Sequence, residues 1–376
     1  MKDKVMFLLA VAFSLVINST ILAANSLILS QKDFKSEIFS TSFNSENGFV
    51  VATQEEVVYI NKEGLSCRQF PLQKNQFAVL SENGGTFAVV TYSPGVKELV
   101  EKTEFMDSNG KLLFSIDEGG YPYLAPDSSW FAVANSAKNQ ISFLDKNGKV
   151  TNKHNFSDIK GLKISFSADA RYCLANVPNM GKGKTSGFLV LFSSNGKKLW
   201  KFDHPGSTTG YVVLSQKADK VIFASESNIY CLNKKGRLLW RKSIESGGIA
   251  VGLSKNGKFL VVGRRQDNSL SLYDVSSGKV FKKKQLAGLL NYNSPFTSLS
   301  VSDEGLVLAT AAKSWSLRNK ESYLYLLKGD KILYSGSYSQ RQIKAKFSSD
   351  SQKILMTGEK GMIVYDTNRI IKGGQQ

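Results

Sequence analysis

Short apolar runs of three to six residues, broken by tight polar turns, recur along almost the whole chain. The clearest instance is Tyr211–Gly248, YVVLSQKADKVIFASESNIYCLNKKGRLLWRKSIESGG, where four runs are separated by QKAD, SES and NKKG. The first three runs hold Val212–Leu214, Val221–Ala224 and Ile229–Leu232. They are continuously apolar, the pattern of strands covered on both faces. The fourth, with Trp240 followed by Arg241 and Lys242, is amphipathic and suits a strand half in solvent. Beyond the first 24 residues no window of 11 or more carries a helical period, so the pattern predicts an all-β protein.

The same unit returns eight times. Its first anchor is a Ser followed by acidic, Asn or Gly residues ahead of a β-rich run: SENGFVVA from Ser45, SENGGTFAVV from Ser81, SADARYCLAN from Ser167, SQKADKVIFA from Ser215, SKNGKFLVVG from Ser254, SDEGLVLATA from Ser302 and SSDSQKILMTG from Ser348, with APDSSWFAVA from Ala125 as the variant. The spacing from Ser45 to Ser348 averages about 43 residues. A second anchor closes each third run, as in ISFLDKNG at Gly148, IYCLNKKG at Gly236 and LSLYDVSSG at Gly278, with IVYDTNR at Arg369 in the last unit. Gly there accepts positive φ freely, which marks a turn. Four strands per repeat of 40–45 residues predicts an eight-bladed β-propeller of four-stranded antiparallel blades, forming one domain over residues 25–376. Seven blades with an extra sheet is the alternative.

The ends of the chain complete this scheme. The last unit has three strands, and only Arg369–Lys372 remains for a fourth. The unpaired SLILS at Ser26–Ser30 is expected to add to that blade and close the ring, removing exposed strand edges.

LNKKGRLLWRKSIESGG and NGKKLWKF (Asn195–Phe202), each with a Gly turn before a Leu-Trp strand, resemble the repeat of the quinoprotein (PQQ-binding-like) propellers. The Ser-Asp-Gly anchors resemble WD40-like repeats. The resemblance covers residues 36–376 and implies a fold. It does not specify an activity. The quinoprotein likeness also implies an alternative function, an enzyme using the central channel as a quinone-linked dehydrogenase or as a hydrolase or lyase. The chain has no Cys-Cys pair of the kind such dehydrogenases often stack on the quinone, and no metal-ligand set can be assigned. No cofactor is expected.

Residues 1–24 read as a signal peptide: Lys2 and Lys4, an apolar run from Val5 to Ile17, and small residues up to Ala24. Cleavage after Ala24 places the chain in the periplasm or outside the cell; an uncleaved anchor is the alternative. The net charge of +18 permits attraction to acidic partners, but its Lys and Arg residues are scattered through turns and outer strands. An exported chain without a basic–aromatic recognition motif is not expected to bind nucleic acid. Cys67, Cys173 and Cys231 are too few for a disulfide-built scaffold, although one bridge is open.

Candidate chemistry is sparse. PNMGKGKTSG, Pro178 to Gly187, has Pro178 where a phosphate-binding loop needs Gly, and a strand follows it. His154 and His204 stand in different units without a partner motif, which excludes a multi-His metal site; His204 reads as a loop residue. Long connections are the better guide, because variable loops on a rigid scaffold carry binding. Those at Tyr92–Lys102, Val177–Gly187 and Lys313–Ser322, with Asp117–Tyr121, Asp203–Gly210 and Ala287–Pro295, project from one face of a propeller. Lys182, Lys184, Arg264, Arg265, Trp315 and Arg318 mark that face as the candidate binding surface. The expected function is an exported, monomeric, non-catalytic scaffold for a protein partner or an anionic glycan or peptide.

Overall fold

A computed structural model of the chain describes residues 27–44, 48–93, 100–117, 119–159, 161–179, 186–205, 210–225, 227–244, 249–286, 289, 295–313 and 320–373. They form eight four-stranded antiparallel sheets. In blade 1, Ile38–Phe43, Phe49–Thr53, Glu56–Ile60 and Ser66–Pro71 follow one another from the central channel outward. Blades 2 to 7 repeat that meander. The second and third strands are buried along their lengths, as in Val221–Ala224 and Ile229–Leu232, because each blade lies between two others. The outer strand Leu238–Ser243 is exposed except at Trp240.

Blade 8 is built from both ends of the chain. Lys344–Phe347, Lys353–Thr357 and Gly361–Asp366 supply three strands, and Ile28–Asp33 pairs antiparallel with the third, Gln31 opposite Ile363 and Asp33 opposite Gly361. The closing strand therefore starts two residues later than expected and runs three residues further; residues 1–26, with the expected signal peptide, lie outside the described residues. The chain end is a correction. IVYDTNR makes no turn into a strand: Thr367–Gly373 is a helix. Asp366 caps it, its Oδ1 accepting the Arg369 backbone N–H at 3.1 Å, and Ile370 is buried.

The Ser anchors are the turns between first and second strands. Ser254 is fully buried, its Oγ accepting the N–H groups of Lys258 and Phe259 and donating to Asn256. Ser348 does the same for Lys353 at 2.9 Å while donating to Asp350. Three residues after the anchor the backbone is left-handed: Gly at 84, 257 and 305, but Ser128, Ala170, Ala218 and Ser351 elsewhere. A side chain there costs about 1 kcal/mol. Ser351 has φ 58° and is half-exposed, so Ser351→Gly is expected to stabilise the protein by about 1 kcal/mol, read as a higher urea midpoint at unchanged slope.

Neighbouring blades lock at the rim. The Trp200 ring lies against Gly236 of the next blade, and its indole N–H donates to the Lys234 carbonyl at 2.8 Å. Trp240 repeats this on Gly278 and the Val275 carbonyl at 2.7 Å. Phe70 sits on Gly110, Phe114 on Gly148, and Ser30 of the closing strand on Gly64. The Gly-turn and Leu-Trp motif is thus a joint between blades. The innermost strands of blades 6, 7 and 8 pack tightly, a Cβ on Gly252 falling 2.7 Å from the Leu299 carbonyl oxygen.

Candidate functional site

A cavity lined by blades 1, 2 and 3 opens on the face that carries the connections between blades. The starts of the inner strands meet there, and Phe39 and Phe77 stand at the second strand position, where the template repeat has Val212. Phe77 stacks on Tyr121 at 5.9 Å, Tyr92 lies 6.3 Å from Phe77, and Tyr123 lies 5.1 Å from Tyr121. Phe39, 51% exposed, faces the same cavity of about 520 Å³ as Phe77, Tyr92 and Tyr121. Hydrogen bonds fix these rings. Tyr92 Oη donates to the Lys74 carbonyl at 3.2 Å, Asn75 Nδ2 to the Tyr92 carbonyl at 3.1 Å, and Gln76 Nε2 to Thr91 Oγ1 at 3.1 Å. Burial pushes the Tyr121 phenol up.

A second cavity, of about 560 Å³, shares Phe39 and Ser40 with the first and lies between the inner strands of blades 7, 8 and 1. Its mouth carries Arg341, paired with Glu359 at 3.2 Å, and the exposed Glu37. Thr41, Ser298, the half-buried Lys346 and the exposed Lys344 also line it. Lys346 also lines a third cavity of about 290 Å³ that reaches Glu82 and Phe166 toward the opposite face. Its side chain is half-buried. Burial holds this ammonium below the usual lysine range, against the weaker opposing charge of Glu82.

Of the expected site residues, Lys182, Lys184, Trp315 and Arg318 lie outside the described residues. Arg264 and Arg265 are half-buried at the turn after the second strand of blade 6. Arg264 Nε stands 3.7 Å from Asp267 Oδ1, and Lys283 Nζ is 3.1 Å from Oδ2. Burial pushes the Asp267 carboxyl up, but hydrogen bonds from Ser269 and Lys283 and the two cations outweigh it and hold it below the ordinary range. Arg264 is thus engaged within its own turn. Tyr92 and Tyr121, at the ends of two of the expected loops, do line the aromatic cavity. Phe39, Phe77 and Lys346 sequence reasoning missed. The signal was an inner strand, IFSTSF or KAKF, that alternates where the template is continuously apolar.

His204 is a further correction. It belongs to the outer strand Lys198–Pro205, is 2% exposed, and packs at 4.0 Å on Phe223. All three cysteines are free, Cys173 and Cys231 buried in strands and Cys67 exposed. Among the described residues no group of three or more His, Cys, Asp or Glu is placed to hold a metal, and no helix is long and apolar enough to cross a membrane. GFLVLFSS lies in the strand Ser186–Ser193, so no helix follows the Gly-Lys-rich stretch.

Neither family models nor curated proteins match this sequence. Solved structures do. The C-terminal WD40 domain of Sif2 superposes with a TM-score of 0.61 at 12% identity, covering 90% of this chain and 99% of that one. A eukaryotic initiation factor gives 0.60 at 14% identity, covering 90% and 87%. At such identities the likeness shows the fold alone: the chain is an eight-bladed β-propeller, similar in fold to a WD40 domain.

Proposed function

We propose that this protein is an exported, non-catalytic interaction scaffold that holds a protein partner at the mouth of its channel, on the face carrying the connections between blades. The aromatic cradle of Phe39, Phe77, Tyr92 and Tyr121 carries the reading, since clustered rings such as the exposed Phe39 and Tyr121 on the half-buried Phe77 and Tyr92 are what dominate protein-binding energetics. The likeness to a WD40 domain, a fold used as an interaction scaffold, supports it. Export rests on the charged and apolar leader at residues 1–24. The cradle replaces Arg264 and Arg265 at the centre of the proposed surface, because Arg264 is occupied by Asp267.

The test is affinity capture from the native cell envelope by the mature chain and by a Phe39→Ala/Tyr121→Ala variant. The wild type is expected to retain a partner that the variant holds about a hundredfold more weakly, each ring contributing about tenfold. Equal retention by both, or no partner for the wild type, overturns the reading.

A further inference from the structure

The channel beneath the cradle contains a half-buried cation that the scaffold itself does not use. Lys346 sits on the inner strand Lys344–Phe347, between the cavity at the mouth and the one toward the opposite face. Among the described residues its ammonium makes one hydrogen bond, to the Thr41 carbonyl, and it lies 5.9 Å over the Phe43 ring. An ammonium has three N–H donors. Among the described residues no carboxylate lies within ion-pair distance of it; Glu82 acts only through space. A half-buried charge without a counter-ion is left partly desolvated and free to receive an anion. Lys344, two positions earlier and therefore on the same side of the strand, lines the same cavity, and Ser40, Thr41 and Ser300 supply hydroxyls. The one guanidinium at the mouth, Arg341, is already neutralised by Glu359.

Resting on the scaffold reading above, we propose that the partner inserts an acidic peptide segment, with a carboxylate against Lys346 and an adjoining aromatic or aliphatic side chain in the cradle. The two cavities share Phe39 and Ser40, so one short segment spans both. A peptide supplies a carboxylate and an apolar side chain at neighbouring positions. The hydroxyls around Lys346 suit an oxyanion, whose lone pairs accept from Ser and Thr as well as from the ammonium.

The experiment selects heptapeptides from a random bead-displayed library on the full chain, half with free and half with amidated C-termini, followed by fluorescence-polarisation titration of the enriched sequences. Enrichment of Asp or Glu beside Phe, Tyr, Leu or Ile is expected in both halves. Binding should fall at least tenfold with Lys346→Gln, and equally when the peptide carboxylate becomes an amide. Enrichment in the free-ended half alone assigns the carboxylate to a chain terminus and overturns the side-chain form of the proposal. Acidic peptides that bind Lys346→Gln as tightly as wild type, but lose affinity with Phe39→Ala, overturn the anion subsite and leave the scaffold reading standing. No enrichment overturns the proposal. Thermal melting controls for folding: removing a half-buried charge should leave the midpoint of Lys346→Gln and of Lys346→Met unchanged or higher. A fall in both midpoints with peptide binding intact would make Lys346 a structural strap on Thr41 and overturn the proposal.

Discussion

A chain that starts at Lys35 is expected to lose most of its stability, while one that starts at Asn25 keeps it. Ile28–Asp33 supplies the outer strand of blade 8, and its five paired positions run from Ile28 opposite Tyr365 to Asp33 opposite Gly361. A backbone hydrogen bond contributes about 1 kcal/mol net, so the ladder alone is worth several kcal/mol. Leu27 and Ile28 also pack on the core around Leu324, Ile354 and Tyr365, and Phe34 packs beside Phe49 and Met362. Against a typical folding free energy of about 5–15 kcal/mol, that is a large share. The loss also bares the edge of Gly361–Asp366, which invites pairing between molecules. Thermal melting and size-exclusion chromatography of the two chains check this: the shorter one should melt more than about 10 °C lower and form aggregates. A synthetic peptide of residues 25–35 added in trans should restore part of the difference. Identical melting curves would show that the ring closes without the strand.

Acid is expected to weaken the fold through His204. Burial pushes this imidazole down to about 4, with the Asp203 charge opposing weakly. Its Nε2 lies 3.3 Å from Asn176 Oδ1, and its buried Nδ1 has no hydrogen-bond partner among the described residues. In the unfolded chain the ring titrates near 6.5, so between pH 6.5 and 4 only the unfolded state takes up the proton. The neutral ring's contribution is complete above pH 6.5 and is lost as the pH falls toward 4, to a total of about 3 kcal/mol. Urea unfolding of wild type and His204→Phe across that range isolates the effect, because carboxylate titrations are common to both. The two stabilities should converge, or cross, as the pH is lowered. Parallel profiles would mean the imidazole is not desolvated.

The architecture was legible because every repeat states it in the same chemistry. Ser215 and Ser254 head turns that need a buried hydroxyl, and Gly236 and Gly278 sit where a ring from the preceding blade leaves no room for a side chain. The closing strand could be placed because the chain had one unpaired strand at the front and one vacancy at the back. The helix at Thr367–Gly373 was misjudged because Asp-Thr-Asn was read as a turn anchor by analogy with earlier units, although Asp is equally a helix cap. His204 was misplaced for a similar reason. DHPG looks like loop composition, yet the ladder to Ser186 and Gly187 carries the strand as far as Pro205. The site was hidden by its dispersal. Phe39, Phe77, Tyr121 and Lys346 belong to four different blades, and nothing local in the sequence says that four strand starts converge on one opening. Charge drew attention to Arg264, whose partner Asp267 is only three residues away, a proximity that predicts self-neutralisation.

The joints at the rim have one further consequence, which concerns the number eight. Side chains of one blade's outer strand rest on the Gly turn of the next blade, from Ser30 on Gly64 through Trp240 on Gly278 to Lys282 near Gly329. This is a head-to-tail contact repeated within one chain, and such a contact closes only if its rotation divides the full circle, here roughly 45° per step. The glycine sets that rotation by allowing the neighbouring ring to lie flat on the backbone. Blade count is therefore encoded redundantly, once in the number of repeats and again in the angle of every joint. A chain gaining or losing a repeat would have to re-cut all of its joints to close again.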